Sequence, residues 1–514
     1  VASGDPTVLN DFRRGVNLQT GPYLLESSEA RDARNVHGTV VGSIKKRPGF
    51  EKLGTDAFAS IDGAPHSLFA ANLSPTKFLI AVAKQAGAAN DRIISVDPTG
   101  VPATLASTLT QGRRWSFVQG PTSGGEGPIW GVNGVDPPKQ WTGSGAMGNW
   151  TTPGGSSGSP PTTARFLAYQ MDVIWAAGFV DAPAKVASCG LTAGGTPVPD
   201  PRNWSTDYAD QVEPNDGEPI TALGTYGPYL LVFKARQLYA LADFQARNYR
   251  KISSGIGCVA HRSIAETSAG TMFLSEDLGV CVTDGQEVTP ISDPILPLLR
   301  EAADANALLF DDACATYHRG SYFLSIPATA ANNDLTLEYQ LDTRSWWIHT
   351  CASNQFALVD PTGSPILYSA NPTLKQVDKA FVEGVYSDYG QSYEAYWKSP
   401  FLVWGNPHVN KRIRQFRADG QGQWDLYSQE TFDDDETLLD MEVWEEGPDT
   451  FVFGGTGTFG GASDEFMPSG GITQRRYPTP SQGWGRAWSL IVRADDTNPM
   501  QLFSIAAFVL PRRD

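Results

Sequence analysis

The sequence predicts an all-β protein, a β-propeller of six or seven blades followed by a C-terminal β-sandwich. Three observations predict it. Short apolar runs recur along the chain, beginning at Lys77, Pro128, Asp172, Tyr229, Thr271, Ser321 and Pro365, at intervals of 42 to 57 residues. That is the repeat length of a four-stranded propeller blade. Gly (52) and Pro (36) are abundant, as expected where many tight turns join short strands. The aromatics (14 Trp, 17 Tyr, 24 Phe) suit sheet interiors.

The clearest repeat lies at 218–241. Pro219–Leu223 and Tyr229–Phe233 are apolar runs separated by the turn residues Thr225–Pro228. Lys234–Gln237 then reads as a hairpin connection leading to Leu238–Leu241. Three such strands cannot bury their faces alone, so neighbouring repeats must cover them. Ahead of the repeats, Ser27 or Ser28 is a candidate cap for a short helix through Arg34. Gly42 to Phe50 reads as a strand and turn. Ile295–Phe310 is the best helix of the chain, with Leu298, Ala302, Ala305 and Leu309 at helical spacing. From about Tyr393 the pattern changes to the short strands Phe401–Trp404, Lys411–Arg417, Trp424–Tyr427, Trp488–Val492 and Leu502–Leu510. The expected division is 1–60 as N-terminal arm and first propeller strands, 61–390 as propeller and 391–514 as sandwich, each of normal domain size.

Charge narrows the functions. Lys and Arg number 39 against 56 Asp and Glu, a net charge of −17, which disfavours a DNA-gripping role. The five cysteines are scattered without CxxC spacing and read as reduced thiols. Residues 1–20 are polar and no apolar run has membrane-spanning length, so the expectation is a chain folded in a bacterial cytoplasm without stable membrane insertion.

No motif for chemistry survives its context. Gly143–Gly148 and Gly455–Gly460 match GxGxxG, but neither precedes a helical pattern on which a phosphate could sit. Gly154–Gly158 matches GxSxG inside a low-complexity linker rather than a strand-to-helix elbow. The six histidines occur singly, without metal-ligand spacing. Asp277, Asp284, Asp311 and Asp312 are the acids most eligible for a glycosidase pair, although aspartate also favours such turn positions for structural reasons. The expectation is a protein without catalytic residues, cofactor or metal.

A resemblance enters at Arg31–Asn35 and Lys46–Phe50, and continues through Val132–Gly134, Pro138–Trp141, Asp172–Gly178, Asn203-Trp204, Asp216–Leu223, Leu230–Lys234, Gly255–Ser263 and Asp342–Trp347. In order and spacing these segments, spread over residues 12 to 385, resemble the tail hub or nozzle proteins of bacteriophages. The resemblance implies a virion structural protein, a homo-hexamer ring around the DNA channel, docked to other tail or head-to-tail connector proteins. Viral DNA would pass without specific binding, helped by the acidic surface. Long-tailed phages carry similar minor tail proteins, so the resemblance leaves the tail type open. The candidate interface residues are Arg13, Arg14, Arg31, Arg34, Lys45, Lys46 and Arg47, then Arg412 and Arg414 on a strand alternating with Ile413, then the acidic run Asp433, Asp434 and Asp435. The alternatives are a glycan-recognising tail protein, for which Trp346, Trp347 and Trp404 are the first aromatics, and a polysaccharide-degrading propeller enzyme.

Overall fold

The computed structural model describes residues 7–54, 58, 60–73, 76–122, 125–151, 158–191, 199–277, 279–305, 312–329, 332–360, 363–403, 408–422, 424–430, 437–440, 473–478 and 486–511. Among these residues it is all-β apart from 3-10 turns and one α-helix, Leu296–Ala305. The chain forms two compact units. One gathers residues 1–50, 342–349 and 381–514, and the other residues 51–341 and 350–380. The N-terminal segment through Phe50 thus groups with the C-terminal segment, whereas the sequence pattern assigns it to an arm and the first propeller strands.

The larger unit is a ring of antiparallel sheets. Ser67–Leu73, Thr76–Lys84, Asn90–Val96 and Pro102–Thr110 pair in sequence order to make the first sheet. Four more four-stranded sheets follow at 116–149, 166–211, 220–253 and 265–290. Residues 314–340 and 356–380 contribute three strands each to a sixth and a seventh. The leading strand of each sheet touches the leading strand of the next, and Phe356–Val359 returns to Ser67–Leu73, closing a propeller-type ring. Leu53 adds a clasp, its N–H donating to the carbonyl of Val377 at 3.0 Å, so segments from opposite ends of this unit meet at the seventh sheet. Leu68, Ala81 and Ile94 pack there against Ala357, Tyr368 and Val377.

The recurring apolar runs are the second strands of these sheets. Val173–Ala177, Tyr229–Lys234 and Gly270–Ser275 are buried almost end to end because a neighbouring sheet covers each face. That double cover is why they read as continuous runs rather than alternations. Between the second and third sheets, Trp130 and Trp150 have ring centroids 4.5 Å apart, and Trp150 meets Trp204 edge-on. Trp150 and Trp204 both donate their indole N–H to the carbonyl of Pro201, so neither of these two donors is left unpaired on burial. The expected helix forms at Leu296–Ala305, while its last residues, 306–310, lie outside the described part.

Most of the described strands of the smaller unit fall in two sheets. Thr7–Leu9, Val36–Gly38, Ile44–Lys46, Lys411–Gly422, Thr473–Pro478 and Met500–Pro511 form one. Asp32–Arg34, Ala395–Lys398, Asp425–Glu430, Thr437–Asp440 and Trp488–Ala494 form the other. The helix expected to start at Ser27 or Ser28 is absent, and Asp32–Arg34 is instead a strand pairing Tyr396–Lys398. Local capping signals lose here to strand pairing with a segment from the far part of the chain. Asn35, at φ 55°, is the joint at which the chain leaves the second sheet and enters the first. Asparagine tolerates this left-handed conformation better than most residues. Gly15, at φ 68°, is held by a bridge to Trp346, and a Cβ there would lie 2.4 Å from the Trp346 carbonyl oxygen.

Candidate functional site

The cationic residues singled out in the sequence divide sharply once folded. Arg13 and Arg14 have half-exposed side chains and pair locally, with Asp11 at 2.8 Å and Glu26 at 3.2 Å. Arg34 faces Asp32 at 3.7 Å, and Lys45 is half-buried on its strand. Arg31 donates to Ser489 Oγ at 3.0 Å and to Gln429, and lies over the Phe401 ring.

Lys46 and Arg47 are not surface cations. Their relative exposures are 1% and 0%. Arg47 forks onto both oxygens of Asp388, at 3.0 and 2.5 Å, donates Nε–H to Asn35 Oδ1 at 2.9 Å and covers the Tyr393 ring at 3.9 Å. Lys46 donates to the carbonyl of Asp496 and sits 4.4 Å from the Tyr393 centroid. Burial pulls its ammonium below the usual lysine value, against the attraction of Asp496. A paired guanidinium at this depth is a structural group, because uncoupling it would strand a buried charge. Alternation at Lys411–Arg417 is broken, since the register with Val509 and Phe508 slips between Ile413 and Gln415 and makes Arg414 the bulged residue. The side chains of Arg412 and Arg414 lie outside the described part, as do Asp433, Asp434 and Asp435.

Motifs set aside in the sequence fall on turns where they are described. Gly143 and Gly145, at φ 97° and 65°, lie in the connection between Lys139–Trp141 and Gly148–Asn149. Residues 152–157 and 455–460 lie outside the described part. Asp284 accepts from the N–H groups of Gln286 and Glu287 at 2.8 and 3.0 Å, a turn role that lowers its pKa. Asp277 is exposed, and Asp311 is not described. Trp346 and Trp347, the first candidates for a glycan platform, are 1% and 0% exposed, and Trp404 is not described. Four cysteines are buried and Cys351 is half-buried; burial pushes Cys189, Cys258 and Cys281 up to about 12, which makes them inert thiols. Among the described residues no group of three or more His, Cys, Asp or Glu could hold a metal ion, and no helix is long and apolar enough to cross a membrane.

Sequence reasoning did not find the axial cavities of the propeller. One, of about 360 Å³, is lined by side chains on or next to all seven leading strands, Phe69, Gln119, Tyr169 and Glu266 among them. A second, of about 480 Å³, sits where the leading strands begin. Its lining includes Arg113, Arg114, Arg165, Arg262, His261 and Asp312, and His261 and Arg262 border both cavities. Asp312 is shared, bound by Arg114 and 3.8 Å from Arg262. Arg114 also donates to the His66 carbonyl at 2.5 Å, and Arg262 to that of Asn354 at 2.6 Å. The His261 ring packs 4.5 Å from Phe166, with its Nδ1 buried and unpartnered. Burial first, then the charges of Arg262 and Arg165, push His261 down to about 3, so the ring is neutral at neutral pH. No signal along the chain marks this cluster, because its arginines come from separate inter-sheet connections.

No known family's sequence model matches the chain, and no curated protein matches it in sequence. Solved structures match in shape. The Pan2 WD40 domain of Neurospora crassa aligns over 66% of this chain and 98% of its own, at 11% identity and a TM-score of 0.39. BBS1N, solved in complex with ARL6DN, aligns over 66% and 98%, at 8% identity and 0.41. An ancestral GH74 enzyme aligns over 69% and 50%, at 11% identity and 0.32. Overlaps this loose carry neither a family nor a function.

Proposed function

We propose that this chain is a virion structural protein of a bacteriophage tail, a nozzle or hub subunit. It is a seven-bladed propeller with a β-sandwich made from both ends of the chain, and copies of it, six in the family it resembles, ring the DNA channel. Its work is mechanical. Neighbouring copies and adjoining tail or connector proteins dock on it, and its net negative charge keeps DNA from adhering. Arg13 and Arg14, exposed and paired only locally, are the interface candidates among the described residues.

One observation supports this reading above others. Three of the segments that carry the resemblance come together around Asn35: 31–35 and 46–50, which are near neighbours in the chain, and the distant 342–347, through the residue that follows it. The Asn35 N–H donates to the carbonyl of Ile348 at 2.9 Å, its carbonyl accepts from the Arg47 N–H at 2.9 Å, and its side-chain amide donates to the Glu394 carbonyl at 2.7 Å. Gly38 lets Trp347 close in, since a Cβ there would lie 2.7 Å from the indole. Short motifs held in one spatial cluster are what a shared fold would require of them.

Mass spectrometry of purified virions with copy-number determination, followed by cryo-EM of the same particles, tests the proposal. The expected result is a fixed multiple of copies arranged around the tail axis. Absence of the chain from the particle overturns it.

A further inference from the structure

We propose that the arginine-lined mouth of the propeller axis is a binding site for a small, multiply charged oxyanion of the phosphate or polyphosphate class. Among the described residues, four arginines and one carboxylate, that of Asp312, line a cavity of about 480 Å³. This basic lining stands inside a chain whose net charge is −17. Cations gathered at a concave mouth repel one another, an anion that joins them relieves the repulsion, and the low-dielectric walls concentrate their field there.

The groups are arranged for recognition rather than merely crowded. Arg114 and Arg262 are fixed by the carbonyls of His66 and Asn354 and by shared Asp312. Arg165 has its aliphatic stem laid against two glycine turns, where a Cβ at Gly134 would stand 2.8 Å from its Cγ and one at Gly178 3.3 Å from its Cβ. Arg165 and Arg113 are exposed at the mouth, and no carboxylate pairs with either among the described residues. Guanidinium forks match phosphate oxygens two at a time, and several of them suit an anion of charge two or more better than a monocarboxylate. The neutral His261 ring also lines the cavity, and its Nδ1 is buried without a hydrogen-bond partner, a polar group that adds no charge. Neither the virion reading nor the resemblance assigns this site, and its test is independent of both.

Isothermal titration calorimetry of the full chain with sodium tripolyphosphate is the test, with inorganic phosphate and a hexaglutamate peptide as separate arms. The expected result is saturable one-to-one binding of tripolyphosphate, weaker binding of phosphate, and at least a tenfold loss of affinity in the Arg113→Gln/Arg165→Gln double variant. Both side chains are exposed, so that variant should retain its circular dichroism and melting temperature. The proposal is overturned by heats that do not saturate, by unchanged affinity in the double variant, or by tighter binding of hexaglutamate, which would mark a docking site for an acidic protein segment.

Discussion

Arginine meets opposite fates in the two units. In the smaller one, Arg47 is wholly buried and its guanidinium is satisfied by Asp388, Asn35 and the Tyr393 ring. At the mouth of the propeller axis, Arg114 and Arg262 share Asp312, while Arg113 and Arg165 are exposed and pair with no carboxylate among the described residues. The same side chain is a staple in the first setting and an uncompensated charge in the second. The difference lies in how many acceptors surround it, not in the residue. Sequence position cannot reveal this, since Arg47 and Arg113 both sit in basic pairs, Lys46-Arg47 and Arg113-Arg114.

The largest effect expected from breaking this contrast is at Arg47. Arg47→Met would leave Asp388 without its partner and should cost about 3–5 kcal/mol, read by urea denaturation followed by tryptophan fluorescence. Arg47→Lys should recover only part of it, because an ammonium cannot fork onto both carboxylate oxygens. Next comes the joint between the two sheets. Asn35→Ala puts at φ 55° a residue that tolerates the left-handed region less well than asparagine and deletes the side-chain bonds to Arg47 and Glu394, for about 2 kcal/mol. Asn35→Gly keeps the backbone conformation, loses only the side chain, and should cost less. If the glycine variant proved the worse of the two, left-handed strain would not be what asparagine relieves there.

Much of the larger unit was legible because its second strands are covered on both faces. Double burial forces Val173–Ala177 and Tyr229–Lys234 to be continuously apolar, and a repeat of such runs has few folds open to it. The smaller unit was not legible in that way. Its sheets draw strands from both ends of the chain, so Asp32–Arg34, short and mostly polar, could be placed only by its distant partner Tyr396–Lys398. Lys46 and Arg47 misled for a related reason. A basic pair reads as surface until its acceptors, Asp496 and Asp388, are brought to it from the other end of the chain. The axial arginines carry no periodic signal at all, because the ring closure that unites them is a property of the fold.

A smaller effect separates the two settings by pH. The His261 ring takes up its proton near 6.5 in the unfolded chain but only near 3 when folded. Between those values the unfolded state binds more protons, so stability falls as pH is lowered through the window and is unaffected above it. His66, also held below its usual value by burial, acts in the same direction. His261→Gln should therefore flatten part of the slope of stability between about pH 6.5 and 4.5, above the range where carboxylates such as Asp284 begin to protonate. Bound polyphosphate should raise the folded-state pKa of His261 and flatten the same slope in the unmodified chain.

The division of labour between the two sets of arginines is tested most directly by thermal melts of the native chain, Arg47→Met and Arg113→Gln/Arg165→Gln, each with and without sodium tripolyphosphate. Arg47→Met should melt at a lower temperature yet keep the upward shift in Tm caused by the anion. The double variant should melt with the native chain and lose that shift. A double variant that is destabilised but still shifted, or an Arg47→Met chain of native Tm, would contradict the account.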